Sequence, residues 1–246
     1  MPQHPVVSRE QWLTARKALL AKEKEATHLR DQINAERLAL PWVNVAKECI
    51  FETPLGKESL AELFAGRSQL VVYHFMLGPG WATGCPGCSF VSDHLDGALQ
   101  HLAHHDVTLM VVSRAPLGEI AAYQKRMGWM FPWVSAFGSD FNFDYQASVR
   151  EQDLASGKIF HNYTEQTVPA HSAVTEAHAV SAFYKDENGE VFHTYSNYAR
   201  GHEEWIGTLM ILDCVPKGRN ETKPMDFVRR HDEYDGSSRQ RVRGAD

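Results

Sequence analysis

The stretch LVVYHFMLGPGWATGCPGCSF, residues 70–90, decides how the rest of the chain is read. Leu70 to Met76 is an unbroken run of β-branched, aliphatic and aromatic residues, interrupted only by His74. That composition marks a buried strand. A loop rich in Gly and Pro follows, Gly78 to Gly84, then Cys85-Pro86-Gly87-Cys88 and a helical pattern running on to about His104. Two cysteines at this spacing serve dithiol chemistry. A first thiolate attacks a disulfide, and a second thiol about one helical turn away displaces the product. At a helix N-terminus the unpaired backbone N–H groups and the helix dipole stabilise the first thiolate. Cys85 is therefore the expected nucleophile and Cys88 the resolving thiol. Pro86 suits an early helical position, where its missing N–H has no helical partner to lose.

Downstream, Val107 to Val112 reads as a second buried strand, and Leu117 to Met127 as a helix stopped by Gly128. Strand, helix, strand, helix with short joins predicts a parallel βαβ unit. Residues 129–177 are less periodic. Phe131-Pro132-Trp133-Val134 is extended, and the remainder is polar and aromatic, an insert of the irregular kind that often carries function. Ala179 to Tyr184 and Val191 to Tyr195 then read as strands joined through Asn188-Gly189, a strong hairpin signal. A last helix is expected from His202 to about Leu212, with Trp205, Leu209 and Leu212 on one face.

Upstream, Cys49 to Thr53 is a strand candidate and Pro54-Leu55-Gly56 a turn. Ser59 with Glu62 reads as a capping box opening a short helix through Phe64 that stops at Gly66. Residues 8–40 are rich in Ala, Leu, Lys, Glu and Arg, and Ser8 with Gln11 forms another capping box. Trp12, Leu19, Leu20, Leu29, Ile33 and Leu38 are spaced loosely as one helix face, fit to pack on the main domain or on a second subunit. The tail, 216–246, has few large apolar residues and is expected to extend over the surface or a partner. There is no internal repeat.

The 246 residues carry a formal charge of −6. A net acidic chain is poorly suited to general nucleic-acid binding. No apolar run is long enough to cross a membrane, and the N-terminus lacks a secretory pattern, so the expectation is a soluble cytoplasmic protein. Four cysteines are too few for a disulfide scaffold, and in a reducing compartment a close pair points to redox work or metal binding. A metal would need two more ligands. His94, His101, His104 and His105 are read as exposed helix residues instead, so no metal is expected. Cys49 and Cys214 are read as small buried apolar residues, and His74 as a hydrogen-bonded core or rim residue. Trp81 and Trp133 belong either to the core or to the rim of the dithiol site.

The order of elements, with Cys-Pro-Gly-Cys after a buried strand and a terminal ββα unit at Ala179 to Leu212, resembles thioredoxin-like proteins. More narrowly, FMLGPGWATGCPGCSF, MGWMFPWVSAFGSDFNFDY and FHTYSNYARG resemble a bacterial thioredoxin-like family, a domain of unknown function described as predicted dithiol–disulfide oxidoreductases. The resemblance covers most of the chain. It implies an α/β fold, a thioredoxin-like three-layer α/β/α sandwich at 42–215, preceded by a helical extension at 1–41. An insert precedes the terminal ββα unit, and a tail follows at 216–246. By position, His178, Ala179, Val180 and Trp133 are the substrate-docking candidates, and Pro79, Trp81, Thr83 and Pro86 support the dithiol. Two departures stand out. Thioredoxin's docking proline has no counterpart in His178-Ala179-Val180-Ser181. Peroxiredoxins carry Pro-x-x-x-Thr-x-x-Cys; Pro79 and Thr83 keep the first spacing, but Cys85 comes one residue early.

The function expected is thiol–disulfide oxidoreduction by the Cys85–Cys88 pair on a thiol or disulfide substrate. A reducing partner, a thioredoxin system or glutathione, would be required, and no prosthetic group. The alternatives are a peroxiredoxin-like thiol peroxidase and a non-catalytic binding or sensing module whose pocket the aromatic insert lines. The N-terminal helix and the tail suit a homodimer.

Overall fold

The computed structural model describes residues 4–169 and 175–234. By internal contacts the chain divides into Met1–Pro41 and Trp42–Asp246. The first unit is one helix, α1 (Arg9–Leu38), closed at its start by the expected box: Ser8 Oγ accepts from Gln11 N–H, and Ser8 N–H donates to the Gln11 side chain. None of its residues is buried.

The second unit is built on an eight-stranded sheet. In chain order its elements are β1 (Val43–Asn44), β2 (Ile50–Thr53), β3 (Gly56–Ser59), β4 (Gln69–His74), α2 (Pro86–Ser92), α3 (Leu99–His104), β5 (Val107–Ser113), α4 (Leu117–Met127) and β6 (Trp133–Ser135). Then follow α5 (Phe141–Asp144), α6 (Glu151–Ser156), β7 (Lys158–His161), β8 (Thr164–Thr167), β9 (Ala179–Lys185), β10 (Val191–Tyr198) and α7 (Gly207–Leu212). Across the sheet the order is β1-β10-β9-β4-β5-β6-β2-β3, and β7 and β8 pair separately. β4, β5 and β6 run parallel, with Leu70 opposite Thr108 and Val112 opposite Val134. β9 lies antiparallel on the other side of β4, with Leu70 opposite Phe183. Helical parallel crossovers beside an antiparallel hairpin make the fold thioredoxin-like, an α/β/α sandwich.

The two-residue period of β4 sorts its side chains to opposite faces. Tyr73, with Phe75 just beyond the strand, joins Cys88 and Val91 of α2, Ile120 and Tyr123 of α4, and Leu209 of α7 in one core. Leu70 and Val72 join Phe51, Phe64, Phe141 and Phe183 in the other. Each large side chain buried this way contributes roughly 1.5–3 kcal/mol. His74 is fully buried, its ring nitrogens 3.2 Å from Asn142 Oδ1 and 3.0 Å from Ser181 Oγ.

Several expectations need correction. The helix after Cys88 does not run unbroken to His104: α2 ends at Ser92, a 3-10 turn follows at Asp96–Ala98, and an α-helix resumes only at Leu99. The cause is two carboxylates that serve another segment. Asp93 accepts from the Trp129 indole, and Asp96 from the Met130 and Phe131 N–H groups. The last helix is also broken. A 3-10 stretch over Ala199–Trp205 precedes α7, and His202 there leaves helical geometry so that its ring meets Asn197 Oδ1 at 2.9 Å. Ser59 ends a strand rather than capping an α-helix. Glu62 accepts from both its N–H and its hydroxyl, and the turn Glu62–Phe64 is 3-10. Cys214, expected to be buried, is exposed, because it lies beyond α7. The insert holds more regular structure than its pattern suggested: β6, α5, α6 and the β7–β8 hairpin, with 170–174 outside the described residues. No described helix is long and apolar enough to cross a membrane.

Candidate active site

Cys85 is the N-cap residue of α2, and Pro86 occupies the helix's first position. The loop before it is fixed from both sides: Cys85 N–H donates to Met76 O at 3.1 Å, and Ser89 N–H and Oγ both reach Cys85 O at 2.9 Å. Gly84 permits this approach. A Cβ there would sit 2.5 Å from the Phe75 ring and 2.8 Å from the Tyr123 ring, closer than side chains tolerate.

The two thiols stand in unlike environments. Cys85 is partly exposed and Cys88 buried. The Cys85 thiol is held down to about 6, first by the hydrogen bond from the Cys88 thiol, then by the backbone N–H groups of Cys88 and Gly87 and the positive charge of Arg230, against the opposing effect of burial. Burial pushes the Cys88 thiol well above its ordinary value, and the neighbouring Cys85 adds to that. Near neutral pH the pair is therefore a partly exposed thiolate beside a buried, protonated thiol. Tyr73, on β4 beneath the pair, turns its buried hydroxyl toward Cys88 and has no nitrogen or oxygen partner.

The supporting residues separate by role. Thr83 Oγ1 accepts from Arg230 at 2.8 Å. Trp81 is half-buried and closes a turn, its N–H 3.2 Å from Gly78 O, while Pro79 is exposed at the loop tip. Among the docking candidates, His178 lines the chamber beside the dithiol. Ala179 and Val180 are buried in β9, and Trp133 is buried in the core, its indole N–H 3.1 Å from Ser113 Oγ. His94 is tied to Phe90 O and Thr208 Oγ1 at 2.8 and 2.9 Å. Among the described residues no group of three His, Cys, Asp or Glu side chains converges as metal ligands would.

The residue that sequence reasoning missed is Arg230. Its guanidinium bonds Gly84 O at 2.6 and 3.0 Å, Thr83 Oγ1 and the Tyr123 hydroxyl, and it pairs with Glu233 at 3.0 Å. The tail thus returns to the dithiol loop, with Val228 buried and Phe227 stacked edge-on to Phe90. The one sequence signal was Phe227-Val228 standing between charged residues.

None of the curated proteins matches the chain. Similar solved structures include peroxiredoxin Q from Xanthomonas campestris, at 12% identity over 66% of this chain and 89% of that one, TM-score 0.41. Peroxidoxin BcpB from Mycobacterium tuberculosis is 15% identical over 70% of this chain and 97% of that one, TM-score 0.40. A putative protein disulfide isomerase from Bacteroides thetaiotaomicron is 16% identical over 74% and 94%, TM-score 0.37. The model of the family described as "Bacterial protein of unknown function (DUF899)" matches residues 1–234, and the chain belongs to that family.

Proposed function

We propose that the protein is a thiol–disulfide oxidoreductase in which Cys85 attacks and Cys88 resolves. The observation that carries the reading is the asymmetry of the pair: an accessible thiol held down to about 6 at the start of α2, and a buried partner pushed up. A thiolate available at neutral pH is the species that attacks a disulfide, and the protonated partner waits until the mixed disulfide has formed. Turnover then needs a thiol reductant, a thioredoxin system or glutathione. The reading places the protein among reduced thiols, in the cytoplasm. Cys85→Ser abolishes disulfide-exchange turnover, and Cys88→Ser accumulates mixed disulfides visible by mass; an unchanged rate in Cys85→Ser refutes the assignment.

A second reading, a thiol peroxidase, is favoured by Arg230 and Thr83 standing beside Cys85. There the thiolate would take one peroxide oxygen to become a sulfenic acid, and Cys88 would condense with it, releasing water. Thiol-dependent consumption of hydrogen peroxide, absent in Cys85→Ser, is the result that would move the assignment to this reading.

A further inference from the structure

A chamber of about 110 Å³ opens beside the two thiols. Cys85, Cys88, Tyr73, His178, His202 and Met225 are among its walls. Its charged rim is already neutralised: Glu203 is paired with both Arg200 and Arg219, and Arg219 with Asp213 at 2.7 Å. The two histidines add no charge near neutral pH, since burial holds His202 down to about 4 and also lowers His178. Among the buried side-chain atoms of its walls, the Tyr73 hydroxyl has no nitrogen or oxygen partner.

The outer wall is a strap of chain, Pro224 and Met225. Met225 packs against the core and holds φ +64, a left-handed conformation that a side chain adopts at a cost, with its N–H 2.7 Å from Glu221 Oε2. The strap is pinned at both ends. Arg219 holds one end through Asp213 and Glu203. At the other, Arg230 grips the dithiol loop, His231 meets Asp93 at 2.6 Å, and Asp232 and Glu233 pair with Arg126 at 2.8 and 3.0 Å.

We infer that the dithiol acts on small, uncharged disulfides with a short apolar arm, and that the Pro224–Met225 strap excludes protein disulfides. This rests on the oxidoreductase reading and names its substrate class. An apolar cavity of roughly 150 Å³ takes a benzene ring, so this smaller one takes one thioalkyl arm of about five heavy atoms. A charged arm would lose its hydration with no free counter-charge to meet. The Cys85 thiolate attacks one sulfur of R–S–S–R, forming Cys85–S–S–R and expelling RS⁻. Cys88 then attacks the Cys85 sulfur, closing the Cys85–Cys88 disulfide, and the second arm leaves as RSH with the Cys88 proton. Two electrons pass from the dithiol to the substrate, and an added thiol reductant restores them.

The test follows oxidation of the reduced full chain by diethyl disulfide, oxidised glutathione and insulin, each rate divided by that of free dithiothreitol. The small uncharged disulfide is expected to exceed the other two by about 100-fold after this correction. Met225→Gly, which suits the positive φ and removes the wall, is expected to shrink that preference about 10-fold by raising the insulin and glutathione rates. A second measurement is read at Cys85 by peptide mapping, because the exposed Cys214 also reacts: Cys85 in the native chain should react with iodoacetamide and resist a polymer-bearing maleimide. Equal corrected rates for insulin and the small disulfide, an unchanged preference in Met225→Gly, or free reaction of Cys85 itself with the bulky maleimide each overturn the inference. If insulin reacts and Cys85→Ser silences it, the oxidoreductase reading survives and only the size limit falls. If no disulfide oxidises the dithiol, both fall.

Discussion

Cys85 owes its low proton affinity to neighbours of unequal weight, and the ranking is testable. The Cys88 thiol is the largest cause, the backbone N–H groups of Cys88 and Gly87 come next, and Arg230 is the smallest. The rate of Cys85 alkylation by iodoacetamide should therefore rise with pH to a plateau with an inflection at about 6, since only the thiolate reacts. Both Cys88→Ala and Arg230→Gln should move the inflection upward, Cys88→Ala further. An inflection near 9, the ordinary thiol value, would refute this account of the site. Gly84 is the second residue on which the site depends. Gly84→Ala forces its new methyl against the Phe75 and Tyr123 rings, both packed in the core. The expected loss is about 1–3 kcal/mol of stability, read by denaturant unfolding. A wild-type midpoint would mean that the loop has room the structure does not give it.

At the scale of elements, the insert is tied to the β5–α4 join by one buried carboxylate. Glu176 takes the Arg114 guanidinium at 2.5 Å and the Ser148 hydroxyl at 2.6 Å, and it is almost fully buried. Glu176→Ala leaves Arg114 without its charge partner, and the expected cost is about 3 kcal/mol or more, measured by chemical unfolding. A cost below 1 kcal/mol would show that Glu176 is not buried against Arg114 in solution. Neither partner announces itself in the sequence, where they stand 62 positions apart. That contrast explains what could be read in advance. β4, β5 and α4 are specified locally: apolar runs for the strands, and for α4 an apolar face closed by Gly128 at φ +70. The dithiol was legible because strand, glycine-rich loop and Cys-x-x-Cys are contiguous. Where the reading failed, side chains were committed to distant partners. Asp93 and Asp96 bond residues 129–131 and interrupt a helix. Arg230 reaches Gly84 across 146 positions and turns a polar tail into part of the site. Composition alone reports the charge of such groups, not where they are spent.

Over the whole molecule, the Cys85–Cys88 pair is coupled to folding through protons. In the folded reduced protein the Cys85 thiol sits at about 6, against an ordinary value of 9.0. Between those values the unfolded chain holds a proton that the native state has released, so stability rises with pH. The gain is complete above the unfolded value and is lost as pH falls through about 6. Cys88 adds no slope in this window, because its folded value lies above 9.0 and it stays protonated in both states. The buried His74 and His202, each held down to about 4, make the native state lose stability in acid, but Cys85→Ser shares them and they cancel in the comparison. Relative to Cys85→Ser, the reduced native protein should therefore gain about 2 kcal/mol between pH 6 and pH 8. Urea unfolding of both proteins at several pH values, under a reductant, measures the difference directly. A flat difference would mean that the fold does not stabilise the thiolate, and the nucleophile would then have to be activated by the substrate rather than by the protein.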